Sequence, residues 1–156
     1  MAEDRVDPHC PFCRIARREI GASIVCEDAR LVAFLDIMPI RPGHVQIAPK
    51  AHYPTFEVLP PDLAAEILAL GQRLARSMKR LYGVERVAFL FSGGDVAHAH
   101  AHLVPMHEKT DITSRRYIAD EDLSFQALPR AGSDELEETA RALRGALATE
   151  DGAVQP

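Results

Sequence analysis

The segment His98-Ala-His-Ala-His102 constrains this chain more than any other, because alternation at period two is the geometry of an extended strand, whose successive side chains point to opposite faces. Three imidazoles then share one face and the alanines the other, with neighbouring histidines about 6.6 Å apart at about 3.3 Å rise per residue. At that spacing the three rings do not converge on one ion unless the strand bends severely. Histidine fills a core poorly and titrates near neutral pH, so a sheet face lined with it is where protons, phosphates or metals are handled. The spacing predicts a strand over 98–104, ended by Pro105.

The apolar pattern around it supplies the other elements. Phe12, Ile15, Ala16 and Ile20 recur at near-helical spacing before Gly21. Segments 23–27 and 31–36 read as a hairpin across Asp28-Ala-Arg30, and His44 to Ala48 as a third strand running into Pro49. Leu63, Ile67, Leu70, Leu74, Met78 and Leu81 fall at intervals of three and four, which predicts an amphipathic helix from Pro61 to Tyr82 ended by Gly83. Arg86 to Phe91 reads as a buried strand, Ser92-Gly-Gly-Asp95 as a tight loop, and Ser133 to Ala148 as a last helix capped by Ser133 or Asp134, with Leu136, Ala140, Leu143 and Leu147 on one face. Sequence-adjacent strands with two main helices predict an α+β fold built on a mostly antiparallel five-stranded sheet. A chain of 156 residues suits one domain, expected over 1–149, with a motif-bearing core at 10–105, a C-terminal loop and helix at 106–149, and a frayed tail at 150–156.

A formal net charge of −5 argues against gripping the backbone of a long nucleic acid, which requires many phosphates to be neutralised at once, but leaves room for one small anion. The first eleven residues carry no apolar core of a signal peptide and no run of about 20 apolar residues occurs, so a cytoplasmic protein without a membrane partner is expected. Three cysteines, two of them in Cys10-Pro-Phe-Cys13, suit a reducing compartment and half of a metal site better than a disulfide framework.

His98-Ala-His100-Ala-His102-Leu-Val104 resembles the signature of the histidine triad family, and Phe34-Leu-Asp36-Ile37, Pro42-Gly43-His44 and Ile47-Ala-Pro49-Lys50-Ala-His52 are similar to that family's nucleotide-binding strands in order and spacing. The resemblance spans about Cys10 to Pro105. It implies a hydrolase or transferase acting at the α-phosphate of a purine nucleotide or nucleotide conjugate, cleaving P–N, P–O or P–S bonds through a nucleotidyl-histidine intermediate. His100 would be the nucleophile, with its other ring N–H held by the backbone carbonyl of His98, while His44 and His102 would stabilise charge on the phosphate oxygens. Asp36 would accept from ribose hydroxyls, and Phe12, Ile15, Phe34, Leu35 and Ile37 would surround the base.

Many members of that family carry a longer loop before the triad, ending in glycine, glutamine and a hydroxyl residue. Here Gly94 and Asp95 take the last two places. Ser92, Gly93 and Gly94 would offer backbone amides to a phosphate, whereas the Asp95 carboxylate should repel an anion unless it is protonated, turned away or paired. The groups over Met106–Tyr117, Arg115 and Arg116 among them, would close over a leaving group.

Zinc-bearing bacterial members complete the Cys10/Cys13 pair with the residues that correspond to His52 and His98. The resemblance therefore implies a closed structural zinc site and no organic cofactor. It also implies a homodimer whose sheets join across the long helix and a neighbouring strand. Two alternatives stay open on the residues alone: a metal-dependent hydrolase using His98 and His100 as ligands with His44 or His107, and a nucleotide-binding module without turnover.

Overall fold

The structure, a computed structural model, describes residues 6–113 and 127–153, with the backbone alone for 151–153. A short helix α1 (Pro11–Ala16) leads into strands β1 (Ile24–Glu27), β2 (Leu31–Leu35) and β3 (Val45–Pro49). A 3-10 turn (Phe56–Val58), helix α2 (Pro61–Tyr82), strands β4 (Arg86–Leu90) and β5 (Ala101–Met106) and helix α3 (Ser133–Ala153) follow. The five strands form one sheet in the order β1-β2-β3-β5-β4, every pair antiparallel, so the α+β expectation holds.

Both long helices cover one face of the sheet, α2 over β3, β5 and β4, and α3 over β1 and β2. Strand parity decides which residues enter that core. Leu31, Ala33 and Leu35 of β2, Val45 and Ile47 of β3, and Ala99, Ala101 and Leu103 around β5 pack against Leu63, Ile67, Leu70, Leu74 and Met78 of α2 and Ala140, Leu143 and Leu147 of α3. The other parity puts Phe34, His44, Gln46, His98, His100 and His102 on the opposite face, where α1 packs with its own small cluster around Cys10, Cys13, Phe12 and Ile15. The face that the two long helices leave uncovered thus carries the histidines, with α1 over part of it.

Several predicted boundaries shift. α1 stops at Ala16 rather than reaching Ile20, because Arg18 adopts a positive φ of 62° and turns the chain. β5 begins at Ala101, and His98 to His100 precede it, since the Ala99 N–H bonds to the Tyr53 carbonyl (2.6 Å) rather than to a strand. Pro105 lies inside β5, opposite Val87. It is tolerated because β3 pairs only as far as Leu103, so that edge of β5 asks for no donor at 105. α2 starts at Pro61 and ends on Gly83 in the left-handed conformation (φ 64°), as its sequence predicts, but Leu81 is 39% exposed because it falls outside the stripe facing the sheet.

Ser133 is the first residue of α3 rather than its cap. α3 also continues through the predicted tail to Ala153. The Glu150 carboxylate is buried there between Arg76 and Arg80 of α2, which holds the last turn down. Among the described residues no helix is long and apolar enough to cross a membrane.

Candidate functional site

Backbone groups fix the tautomers of three histidines on the open face, His98, His100 and His44, and His44 fixes that of the fourth, His102. The His98 Nε2–H donates to the Pro49 carbonyl (2.8 Å), which leaves Nδ1 as a lone pair. The His100 Nδ1–H donates to the His98 carbonyl (2.6 Å), which leaves Nε2 as the lone pair. The Ile40 N–H donates to His44 Nδ1 (3.3 Å), so the proton of His44 sits on Nε2 and is given to His102 Nδ1 at 3.0 Å. His102 must then carry its own proton on Nε2, which donates to Ser92 Oγ (3.2 Å) and leaves the serine hydroxyl free to donate in turn. Burial lowers the pKa of His44. Burial, then the neighbouring His100 and His44, pushes His102 down to about 4, so both are neutral donors near pH 7.

These rings sit close together. The His100 and His102 centroids are 4.7 Å apart, and Phe12 meets His100 edge-on at 4.8 Å. Asp36, just past the end of β2, accepts the Met38 N–H on Oδ1 (2.8 Å) and the Gln46 amide on Oδ2 (2.6 Å), with His44 Nδ1 3.7 Å away. A cavity of about 320 Å³ opens beside His44 and His102, walled by Asp36, Ser92, Asp95 and Ile112. A second, of about 260 Å³, lies beside His100 under Phe56, Phe91 and Gly93, and Ser92 lines both.

The thiol cluster occupies the other side of His98. Its free Nδ1 lies 3.3 Å from Cys10 Sγ and 3.6 Å from Cys13 Sγ, and His52 Nδ1 lies 3.4 Å from Cys13 Sγ. A ligand atom from each of the four residues falls within 4.8 Å of every other. A tetrahedral zinc with bonds of about 2.3 Å to sulfur and about 2.05 Å to nitrogen would hold S and N about 3.6 Å apart, so the donor set and its spacing fit the ion. The Pro49 carbonyl on the far nitrogen of His98 is the kind of outer partner that orients a metal-bound imidazole. Burial raises the Cys13 thiol to about 11, and a bound dication would reverse that by deprotonating it. Burial also holds His98 at about 4, keeping its lone pair available.

His98 and His100 do not make the ligand pair that a metal-hydrolase alternative needs. One ring turns to the thiols with both nitrogens engaged, and the other is held by its Nδ1–H on the His98 carbonyl. His107 stands apart, near Tyr82, with ring centroids 6.5 Å apart.

The expected base-binding residues separate. Phe12, Ile15 and Phe34 pack together on the histidine face beside the thiols, and Ile37 is 43% exposed just beyond Asp36. Leu35 is a correction. It has the parity of Ala33 and is buried against the helices, on the wrong side of the sheet for the cleft. Gly93 has φ 64°, a conformation glycine supplies without strain; Gly94 borders open space, and Asp95 faces the His102 cavity.

Three contacts near the site escaped the sequence. Gln46 shares the parity of His44, a signal available in the Val45-Gln-Ile-Ala pattern. Tyr82, at the end of α2, packs its ring against Gly43. Arg41 forks both Nε and Nη2 onto Asp111 Oδ1 (2.9 and 2.7 Å), while Asp111 Oδ2 accepts the His107 and Glu108 N–H groups. That tie anchors the described part of the post-triad segment, Met106–Thr113, to the loop before His44. Positions 114–117, with Arg115 and Arg116, lie outside the described residues.

A sequence model of the HIT domain family matches residues 17–109, and the chain belongs to that histidine triad family. It is similar to a Zn-bound histidine triad family protein from Mycobacterium smegmatis (TM-score 0.73, 31% identity, covering 93% of this chain and 97% of that one). An uncharacterized HIT-like protein of Mycobacterium tuberculosis is 30% identical over 151 residues, 94% of this chain and 98% of its own. An adenosine 5'-monophosphoramidase of Saccharomyces cerevisiae is 32% identical over 105 residues, 67% of this chain and 66% of its own. Membership supports nucleotide binding and hydrolase chemistry at the level of the family.

Proposed function

We propose that this chain is a nucleotidyl hydrolase or transferase in which His100 Nε2 attacks the α-phosphorus of a nucleoside monophosphoryl compound. The observation that carries this is the 2.6 Å bond from His100 Nδ1–H to the His98 carbonyl, which leaves an oriented Nε2 lone pair on a ring 4.7 Å, centroid to centroid, from His102. In the first step the Nε2–P bond forms and the bond from phosphorus to the leaving nitrogen, oxygen or sulfur breaks. The leaving group departs with the electron pair and takes a proton from solvent. In the second step water, or another acceptor, attacks phosphorus and gives up a proton to solvent, the P–Nε2 bond breaks, and the nucleoside monophosphate, or its conjugate with the acceptor, leaves.

The Ser92 hydroxyl is free to donate to the phosphate oxygens, where stabilising developing charge is worth most, and His44 Nε2–H and His102 Nε2–H, which here bond to His102 Nδ1 and Ser92 Oγ, would exchange those bonds for phosphate oxygens. Backbone amides of Ser92–Gly94 add to them. Asp36 takes the ribose, and Phe12, Ile15, Phe34 and Ile37 take a purine base. Similarity to an adenosine 5'-monophosphoramidase supports a P–N substrate. Cys10, Cys13, His52 and His98 would hold a structural zinc, which supplies rigidity and leaves no open position for catalysis.

A homodimer is favoured by the edge strand β4, where Phe89 continues into a ladder of rings just past the strand: Phe91 and Phe89 at 6.0 Å, and Phe56 and Phe91 at 5.6 Å. The thiol pair suits the reducing cytoplasm.

The test is intact mass spectrometry of protein rapidly quenched without acid after mixing with an adenosine phosphoramidate, for wild type and His100→Ala, with AMP release followed alongside. An AMP adduct and AMP release, both missing in the variant, are expected. Release that survives the substitution overturns the covalent route, and binding without adduct or release leaves a nucleotide-binding module.

A further inference from the structure

The phosphate chemistry makes no use of Gln46, yet among the described residues its Oε1 is the one buried side-chain polar atom with no hydrogen-bond partner, in a residue 8% exposed. The register fixes its place. Phe34 pairs with Gln46 across β2 and β3, and Gln46 pairs with His102 across β3 and β5. The three form a row across the histidine face, with an aromatic wall at one end and a phosphate-side imidazole at the other. The amide orientation is also fixed, since only its nitrogen arm can donate to the Asp36 Oδ2 carboxylate at 2.6 Å. Oε1 is therefore on the opposite arm. Asp36 retains lone pairs of its own, so two acceptors of different kinds are joined on this face, Gln46 between the aromatic wall and His102 and Asp36 next to His44.

Leucine or methionine would fill this place in the row with similar volume and no orphan atom. What the amide adds is an acceptor, and a buried acceptor costs free energy until a donor reaches it. A vicinal diol brings two adjacent neutral donors, and within a nucleotide it occurs on the ribose, between base and phosphate.

We infer that Gln46 determines sugar specificity: Oε1 accepts a hydrogen bond from one hydroxyl of the ribose while Asp36 accepts from the other, so that the site selects ribonucleotides over deoxyribonucleotides. This rests on the nucleotide reading above. A site built to bond a hydroxyl rejects the analogue that lacks it because the protein acceptor is then sealed away unpaired.

The test titrates AMP, 2'-deoxy-AMP and 3'-deoxy-AMP calorimetrically into the full chain, as wild type and as Gln46→Met, with phosphoramidate turnover followed separately. Wild type is expected to bind AMP about 10- to 100-fold more tightly than at least one deoxy analogue, the range of a single buried hydrogen bond. Gln46→Met should weaken AMP by that factor and leave that analogue unchanged. Gln46→Leu, which fills the row with a different shape, should behave alike and guards against a failure of either variant to fold. Equal affinity of wild type for all three ligands, or variants that weaken all three equally, overturns the role. Turnover without hydroxyl discrimination sinks Gln46 alone and leaves the proposed function standing. Discrimination by Gln46 without turnover or adduct does the reverse.

Discussion

Gly43→Ala tests how α2 sets the position of His44. Gly43 has φ 89°, and a Cβ built there falls 2.5 Å from the Tyr82 hydroxyl oxygen and 2.6 Å from two carbons of its ring. Two costs therefore add. A left-handed backbone costs an L-residue about 1–2 kcal/mol, and forcing a methyl into an occupied space costs about 1–3 kcal/mol. A loss of about 3 kcal/mol lowers Tm by roughly 6–12 °C in a chain of this size.

The steric part can be isolated. In a Tyr82→Ala background the methyl has room, so Gly43→Ala should cost only about 1–2 kcal/mol there, and the double-mutant coupling should equal the remainder. Urea denaturation of the four proteins measures it. The same turn carries the His44 backbone, whose N–H bonds to the Arg41 carbonyl (3.0 Å) and whose carbonyl accepts from Asp36 (2.9 Å). Displacing it by about 1 Å should lower kcat/KM on a phosphoramidate by about 10²-fold. A Gly43→Ala protein within about 0.5 kcal/mol of wild type, or an identical cost in both backgrounds, would refute the reasoning.

Gly71→Ala, in the middle of α2, should destabilise although alanine is the better helix former by about 1 kcal/mol, because its Cβ would lie 2.6 Å from the Phe89 ring; a rise in the urea midpoint would contradict this. Protein purified without chelator should carry about one zinc per chain by elemental analysis, and Cys13→Ala should lose it together with part of its thermal stability. The His102 imidazole is held near 4 in the folded protein against an ordinary value of 6.5, so the unfolded chain binds the proton first. The stability held above about pH 6.5 should fall as the pH drops toward 4 and then level off, and His102→Asn should flatten that slope in urea melts. Asp111, held down to about 2 mainly by its bond to Arg41, stays ionised across this range, so Asp111→Asn should loosen the 106–113 turn, seen as faster amide exchange there.

Local periodicity made much of this site legible. The alternation of histidine and alanine put the rings on one face even where the chain leaves the regular ladder, since Ala99 and Ala101 are core and the histidines are not. The three- and four-residue spacing in 61–82 marked the stripe of α2 that reaches the sheet, but not its edge, where Leu81 stays exposed. Leu35 failed because a resemblance carried a whole segment to the cleft while strand parity sends its alternate residues to opposite sides. Glu150 read as part of a frayed end because its partners, Arg76 and Arg80, lie on α2, Arg76 74 positions away in sequence.

By itself the sequence determined the residue types, the elements that carry them and the face on which each side chain points, because these depend on backbone geometry repeated over a few residues. The tertiary structure alone decided which nitrogen of His98 and of His102 holds its proton, since that depends on the Pro49 carbonyl and on His44, brought to ring distance by packing. It also decided that Gln46 would be stranded beside Asp36, and that Arg41 would meet Asp111 across 70 positions of chain. Hydrogen bonds are short and directional. Their partners are chosen only after the sheet and helices have closed around them.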